Sequence, residues 1–469
     1  MPLVLGGSSV VAEPYSVDYS CRFDKASSAF LNLTFATPTN GHIWNFSCWV
    51  KRTNLGTGTP LWNPLFCDAG SPDCRLYFRD DDWRFDGYHS GGSYAFQTTQ
   101  LFRDVSAWYH VCILWDDTQA TPADRAKLFI NGTQVTAFAV DDPPDQDSQH
   151  SMNTAIEHYI GRIVASQYTD CYMAQVCFVD GTVYTVSDFG EFNSASPTIW
   201  QPKDVSELTF GNNGFLLDFA DSADLGNDVS GKGNDWASNG LDATDQSTDT
   251  PTNNFATLNT VNNYWNAATF SEGNCVYTSN NTSDYLGFAT STLGVSKGRW
   301  YFEAKTSTAS GTDIVGISSR AMTSRTTWLG SRTQEYGYYQ DNGEIRSDSA
   351  DTSHGQAYTV NDIIGIYLDL EDNKMYVSDN GSLMNSGTGH SITAAASTDS
   401  GFYHFAVGDN GDSTQVWQVN FGGCPAFTIS SAVADDNGYG SFEYSPNITG
   451  DSEAKSFYAL CTKNIAEFG

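Results

Sequence analysis

Two antiparallel β-sandwiches joined by an acidic linker, in an all-β chain, are what this sequence predicts, and three observations carry the prediction. Glycine fills 42 of 469 positions and Asn, Ser, Thr and Asp are plentiful, whereas the Ala/Leu/Glu/Lys composition of long helices is missing. Several short stretches alternate apolar and polar residues with period two. Asn-Gly pairs stand between apolar runs, where two-residue hairpins need positive φ at both central positions.

In chain order, FSCWVKRTN at 46–54 and AWYHVCILWDD at 107–117 are apolar strand-like runs that hold Cys48 and Cys112 as small hydrophobes. Lys127–Val135 sets Asn131-Gly132 between apolar runs and predicts a hairpin, as does Lys374–Met384 around Asn380-Gly381. In Arg299–Lys305, Trp300, Phe302 and Ala304 share one face while Glu303 and Lys305 take the other, which predicts a strand with one buried face. In Asn361–Leu370, Ile364, Ile366, Leu368 and Leu370 form a stripe opposite Tyr367 and Asp369.

The texture breaks at 221–260, which holds seven Asp and only ten apolar residues, too few for a core. The expected organisation is therefore an N-terminal anchor segment over 1–20, a sandwich over 21–220, an Asp/Asn/Gly-rich linker over 221–262, a second sandwich over 263–425, and a C-terminal docking segment over 426–469. The ending SFYALCTKNIAEFG is apolar enough to dock on the second sandwich and too short to stand alone.

A formal charge of −32 repels phosphate backbones and anionic lipid headgroups, which argues against nucleic-acid and membrane-surface partners. The longest apolar runs, such as Val111–Trp115, fall far short of the ~20 residues of a spanning helix, and the first residues read as no signal peptide. Ten scattered cysteines without a C-x-x-C motif leave zinc ribbons and redox motifs unsupported; buried free thiols are expected, with Cys67 and Cys74 able to close a short loop in an oxidising compartment.

Phrases in the first half, FSCWVKRTN, AWYHVCILWDD, AKLFINGTQV, YIGR (159–162) and DCYMAQVCFVDGT (170–182), follow the order of strands in the concanavalin-like or laminin-G-like jelly roll, which this part resembles. The second half, with GRWYFEAKTS (298–307), DIVGISS (313–319) and YTVNDIIGIYLDLEDNKMYVSDNG (358–381), resembles a SPRY domain. The opening PYSVDYSCRFD, FVDGTVYTVSDFGEFNSAS, NGFLLDFADSADLGNDVSGKGNDW and the ALCTKNI ending are similar to virion appendage proteins of tailed, especially marine, bacteriophages. That resemblance implies a virion location, other virion proteins as partners, and a tail fibre or similar appendage; the first ~20 residues would anchor it to another virion subunit.

Enzyme signatures are weak. Asp369 and Glu371 have the i, i+2 spacing that could bring two carboxylates ~5 Å apart for a retaining glycosidase, but they sit at a strand end, where solvated carboxylates are common. Gly294–Gly298 matches G-x-S-x-G, yet Ser296 leads into a strand instead of a helix. Gly226–Gly233 approaches a P-loop but has Gly233 where Ser or Thr would hold a metal. No cofactor is expected, although calcium could sit in Asp-rich loops, with Asp80, Asp81, Asp82, Asp409 and Asp412 as candidate ligands.

Sugars stack on aromatic rings and bond to Asp and Asn, so two stretches are candidate glycan sites. The first offers Trp83, Asp86, Tyr88, His89 and Tyr94; the second offers Tyr336, Tyr338, Tyr339, Asp341 and Asn342. The same alternation would also place Trp83 and Phe85 in a core, and YGYYQDN could be a strand packed into its own sandwich. The expected function is non-enzymatic adhesion to host-surface glycans or to other virion proteins, in a homo-oligomer whose many weak contacts add up. A purely structural capsid or tail decoration is the alternative, and a glycan depolymerase a third reading.

Overall fold

The near-continuous apolar run Cys171–Asp180 lies at the centre of the first sandwich, because a strand covered on both faces leaves no room for polar alternation. In the computed structural model, which describes residues 15–469 except 56–60, 71–72, 90–91, 149, 164–166, 265–267, 281–285, 309–310, 412–413 and 450–453, this strand pairs antiparallel with Ile43–Arg52. Its sheet runs in the order Thr133–Gln134, Ala126–Ile130, Trp108–Asp116, Ile43–Arg52, Cys171–Asp180, Ser20–Phe23, Gln246–Ser247, with Phe215–Leu217 also paired to the central strand. The facing sheet is Phe138–Asp142, Gly92–Leu101, Asp82–His89, Arg75–Arg79, Trp62–Asp68, Glu157–Ile160, Phe30–Thr34, Ala237–Asn239. Between them Trp44, Phe46, Phe66, Trp83, Phe85, Trp115 and Phe178 form an aromatic core, with Trp44 stacked on Trp115 at 5.4 Å.

The second sandwich is likewise two antiparallel sheets. One runs Ala268–Ser271, Val276–Ser279, Val416–Asn420, Arg299–Thr306, Ile363–Asp369, Lys374–Asp379, Ser382–Leu383; the other runs Gly287–Thr290, His404–Asp409, Asp313–Ser318, Glu335–Tyr339, Glu344–Ser347, Ala350–Ser353. Trp300, Phe302 and Ala304 face inward with Ile364, Ile366 and Leu368, as their alternation predicts. Both Asn-Gly hairpins form with positive φ at each central residue: 46° and 73° at Asn131 and Gly132, 46° and 77° at Asn380 and Gly381. The all-β, two-sandwich architecture is thus the one expected.

Two expectations change. The stretch 221–262 is not a bare linker: its strands Ala237–Asn239 and Gln246–Ser247 complete the two sheets of the first sandwich, and Trp236, 2% exposed, fills that sandwich's core beside Phe215. Its aspartates bond to backbone amides and leave the few apolar residues free to pack; Asp228 alone accepts from Leu216, Ser230 and Asn234 N–H groups. The polar face of Arg299–Thr306 is also not open to solvent. Segment 426–469 covers it, with Tyr458–Ala459 pairing parallel to Trp300 and Tyr301, and Phe442 and Phe457 packing on Tyr301, Tyr367 and Tyr376. Glu303, buried there, accepts from Tyr301 Oη (3.1 Å), Asn420 Nδ2 (3.0 Å) and the N–H groups of Glu443 (3.0 Å) and Tyr444 (2.8 Å). Burial outweighs these donors and lifts its carboxyl to about 7. Segment 426–469 thus packs on the second sandwich; of the anchor expected over 1–20, residues 1–14 lie outside the described residues.

The two sandwiches meet across the outer face of the first. Buried Lys51 donates to Asp249 Oδ2 (2.7 Å), Asn254 Oδ1 (2.8 Å) and the Phe255 carbonyl (2.9 Å), which uses all three of its protons. Arg22 pairs with Asp245 at 3.1 Å and Glu272 at 2.8 Å, and Tyr172 Oη donates to the Gly273 carbonyl at 3.0 Å. Gly273 has φ +64°, and a Cβ there would lie 1.9 Å from Tyr172 Oη, so no other residue fits this joint.

Candidate binding site

The first predicted glycan stretch folds as a hairpin whose Trp83, Phe85 and Tyr94 rings point inward. Trp83 and Tyr94 are core residues, Tyr94 packing 4.9 Å from Trp115, and Asp86 is held by Arg75 (2.7 Å) and Tyr77 Oη (2.5 Å). Tyr88 is 46% exposed; the side chain of His89 lies outside the described residues. In the second stretch, Glu335–Tyr339 is buried throughout: Tyr336 Oη accepts from Thr393 N–H (2.9 Å), Tyr338 Oη donates to the Gln356 carbonyl (2.6 Å), and Arg346 lies 3.7 Å from the Tyr339 ring centre. Asp341 and Asn342 are exposed on the following turn, where Asn342 bonds Glu344. Among the described residues of both stretches, alternation encoded core packing of Trp83, Phe85, Tyr94, Tyr336 and Tyr338.

Of the candidate calcium ligands, Asp80, Asp81 and Asp82 are engaged by other groups. Arg52 (3.5 Å) and Arg103 (2.6 Å) flank Asp81, Arg84 holds Asp82 at 2.5 Å, and Asp80 accepts from Leu61 N–H. Asp409 is buried opposite Asp313 in the second sandwich, and Asp412 lies outside the described residues. Among the described residues, no three His, Cys, Asp or Glu side chains come together as metal ligands. All ten cysteines are free and buried.

The hydrolase pair fares no better. Asp369 has no exposed side-chain surface and bonds Arg299 (3.0 Å) and Lys455 (2.9 Å), while Glu371 accepts from the Gly298 N–H (3.0 Å). Solvated strand-end carboxylates were the plainer expectation; Asp369 is instead the buried hub of an ion network. Ser296 lies on a bend entering Arg299–Thr306, and Gly226–Gly233 is a turn organised by Asp228.

A different place gathers the chemistry a ligand needs. The lead-in Ser16–Tyr19, the stretch 248–255 and the C-terminal residues Gly438–Gly440 and Lys463 enclose a cavity of about 250 Å³. The Lys51–Asp249 pair anchors the stretch 248–255, and Thr252 ties it to the lead-in, its hydroxyl donating to the Val17 carbonyl (2.7 Å) and accepting from Val17 N–H (3.2 Å). The C-terminal helix Thr462–Phe468 is pinned alongside by Asn254 N–H to Thr462 Oγ1 (3.0 Å) and Lys463 N–H to Asn253 Oδ1 (3.2 Å). Asp435 accepts from Tyr439 N–H (2.9 Å) and so shapes the glycine turn on the far wall. Tyr19 and Tyr439 offer rings, Ser16, Thr248, Thr250 and Thr252 hydroxyls, Asn253 an amide, Asp18 a carboxylate, and Lys463 an ammonium 5.4 Å from the Tyr439 ring centre. Such a set can stack on and hydrogen-bond a small polar ring; it holds no paired acids for bond cleavage.

A family model described as the concanavalin A-like lectin/glucanases superfamily matches residues 27–183, and the SPRY domain model matches residues 299–423. The chain thus contains a concanavalin A-like domain followed by a SPRY domain. No curated protein matches it. Among solved structures it is similar to the SPRY domain of human HERC1, at 15% identity over 34% of this chain and 92% of that one, with a TM-score of 0.27. It is also similar to another human SPRY domain, at 17% identity over 33% and 94%, with a TM-score of 0.26. A stonustoxin structure follows at 18% identity over 35% of this chain and 27% of that one, with a TM-score of 0.27.

The cavity lies outside both matched ranges, and sequence reading passed over it. Its parts are separated by about 180 to 230 residues, so no local spacing announces it. The signal available was that PYSVDYS near the start and ALCTKNI near the end were distinctive phrases; the fold brings them to one place through Thr252, Asn253 and Asn254.

Proposed function

We propose that this chain is a non-enzymatic adhesion protein of a phage virion, part of a tail fibre or similar appendage, and that it binds host-surface glycans in the three-segment cavity. The observation that carries the binding reading is the cavity's composition: rings, hydroxyls, an amide and a cation around about 250 Å³. The virion reading rests on the resemblance of the chain's terminal and junction phrases to tailed-phage appendage proteins. The non-enzymatic reading draws support from Asp369, whose buried side chain bonds two cations and offers nothing to a polysaccharide. Each glycan contact would be weak, and a homo-oligomer on the particle multiplies it, by about 10²–10⁴ where several sites engage together. Binding of the full chain to a panel of host polysaccharides tests this; a clean negative, with the cavity covered by a neighbour in density of the intact particle, overturns it.

A second reading, purely structural decoration contacting other virion proteins, is favoured by one feature. The hairpin of Gly190–Phe192 and Trp200–Pro202 exposes Phe192 at 47% and its neighbour Ile199 at 56%. Apolar residues clustered on a surface hairpin suit a subunit contact.

A further inference from the structure

We infer that the cavity selects an anionic sugar residue, one bearing a carboxylate, with Lys463 as the residue that recognises the charge. The inference rests on the glycan-binding reading above and adds the ligand's charge class. On a chain of net charge −32 cations are scarce, and three of the ten lysines, Lys51, Lys127 and Lys455, are committed to Asp249, Asp124 and Asp369. Lys463 has no carboxylate partner among the described residues, and its ammonium lies over the Tyr439 ring at the cavity wall. Its backbone is fixed by Asn253, so the side chain projects from a rigid base, with the Tyr439 ring beneath its ammonium.

The charge pattern across the cavity is asymmetric in the sense a sugar acid requires. Lys463 stands with the C-terminal wall, and Asp18 with the N-terminal lead-in, where Ser16 Oγ donates to it at 2.6 Å. A pyranose carboxylate can accept from Lys463 while ring hydroxyls donate to Asp18 and exchange bonds with Thr250 and Thr252, whose own hydroxyls lie 3.2 Å apart. The Tyr439 ring, already a platform for the ammonium, offers a surface for the sugar's CH face. A neutral sugar fills the same space but leaves Lys463 unpaired.

The test uses the full-length protein and three probes: a polyuronate oligosaccharide, the same oligosaccharide with carboxyls reduced to primary alcohols, and a sulfated polysaccharide. Titration in about 0.5 M salt, where the screening length is about 4 Å, suppresses repulsion between the acidic protein and an acidic polymer. The expected result is binding of the polyuronate, weaker by about ten-fold after carboxyl reduction and by about ten-fold in Lys463→Ala, with Lys463→Arg retaining it. Lys463 is exposed, so both variants fold, which a thermal melt verifies. Equal binding of the reduced oligosaccharide, or an unaffected Lys463→Ala, overturns the inference while leaving glycan adhesion standing; preference for the sulfated polymer overturns carboxylate selection. No binding of any glycan overturns both.

Discussion

Replacing Lys51 by methionine tests whether the joint between the sandwiches, which anchors the cavity-lining stretch 248–255, is held electrostatically. Both partners of the Lys51–Asp249 pair have side chains 1% exposed, so the substitution leaves a carboxylate buried with only Trp108 Nε1 (3.1 Å) and Phe255 N–H (3.1 Å) to solvate it. Breaking one side of a buried pair costs about 3–5 kcal/mol, a large share of the roughly 5–15 kcal/mol that holds a domain together. Asp249→Asn strands the Lys51 ammonium between Asn254 and the Phe255 carbonyl and should cost a similar amount. The double variant no longer buries an unpaired charge, so the two losses should fall short of additivity by about 2 kcal/mol or more. Urea unfolding followed by tryptophan fluorescence and circular dichroism gives the four free energies of the cycle. A cost below about 1 kcal/mol for Lys51→Met, or strict additivity, would refute the reasoning.

Phe457→Ala removes a buried ring that packs 5.2 Å from Tyr367, and should cost the second sandwich about 3–5 kcal/mol in calorimetry; an unchanged melt would mean that the C-terminal segment is not part of that core. Burial lowers His158 to about 3, below its unfolded value near 6.5, so its contribution to stability is complete above pH 6.5 and is lost as pH falls towards 3. His158→Phe, which keeps a ring stacked on Phe35 at 3.9 Å, should therefore flatten the loss of unfolding free energy between pH 6 and 4 by about 1.4 kcal/mol per unit; an identical slope contradicts this. All ten thiols are buried, and where burial acts on them it pushes their ionisation upward, as for Cys48 and Cys112, so a thiol reagent should label ten cysteines in guanidinium and almost none in the native protein. Prompt native labelling would contradict the packing.

The strands were legible because burial of one sheet face imposes period two, and Trp300, Phe302 and Ala304 obey it. What alternation cannot tell is whether the opposite face is also covered: Glu303 reads as solvent-facing until a segment one hundred and forty residues later supplies amides to its carboxylate. Composition misled in the same way at 221–262, where Asp242 caps a turn through Thr244 N–H and a lone tryptophan suffices to tie the stretch into a core. Aromatic-rich phrases such as WRFDGY and YGYYQDN looked like ligand platforms because core rings and sugar-binding rings are the same letters, and depth decides between them. The cavity itself was invisible, since it is assembled from chain ends and a crossing stretch whose meeting depends on the whole fold.

The most direct test of the account is retention of the full chain on immobilised host-surface polysaccharide, measured together with the length of that polysaccharide after incubation. Retention that is lost on competition with free uronate-bearing oligosaccharide, with the polymer's length unchanged, is the predicted result. A polymer that shortens, or a protein that passes through unretained while properly folded, contradicts it.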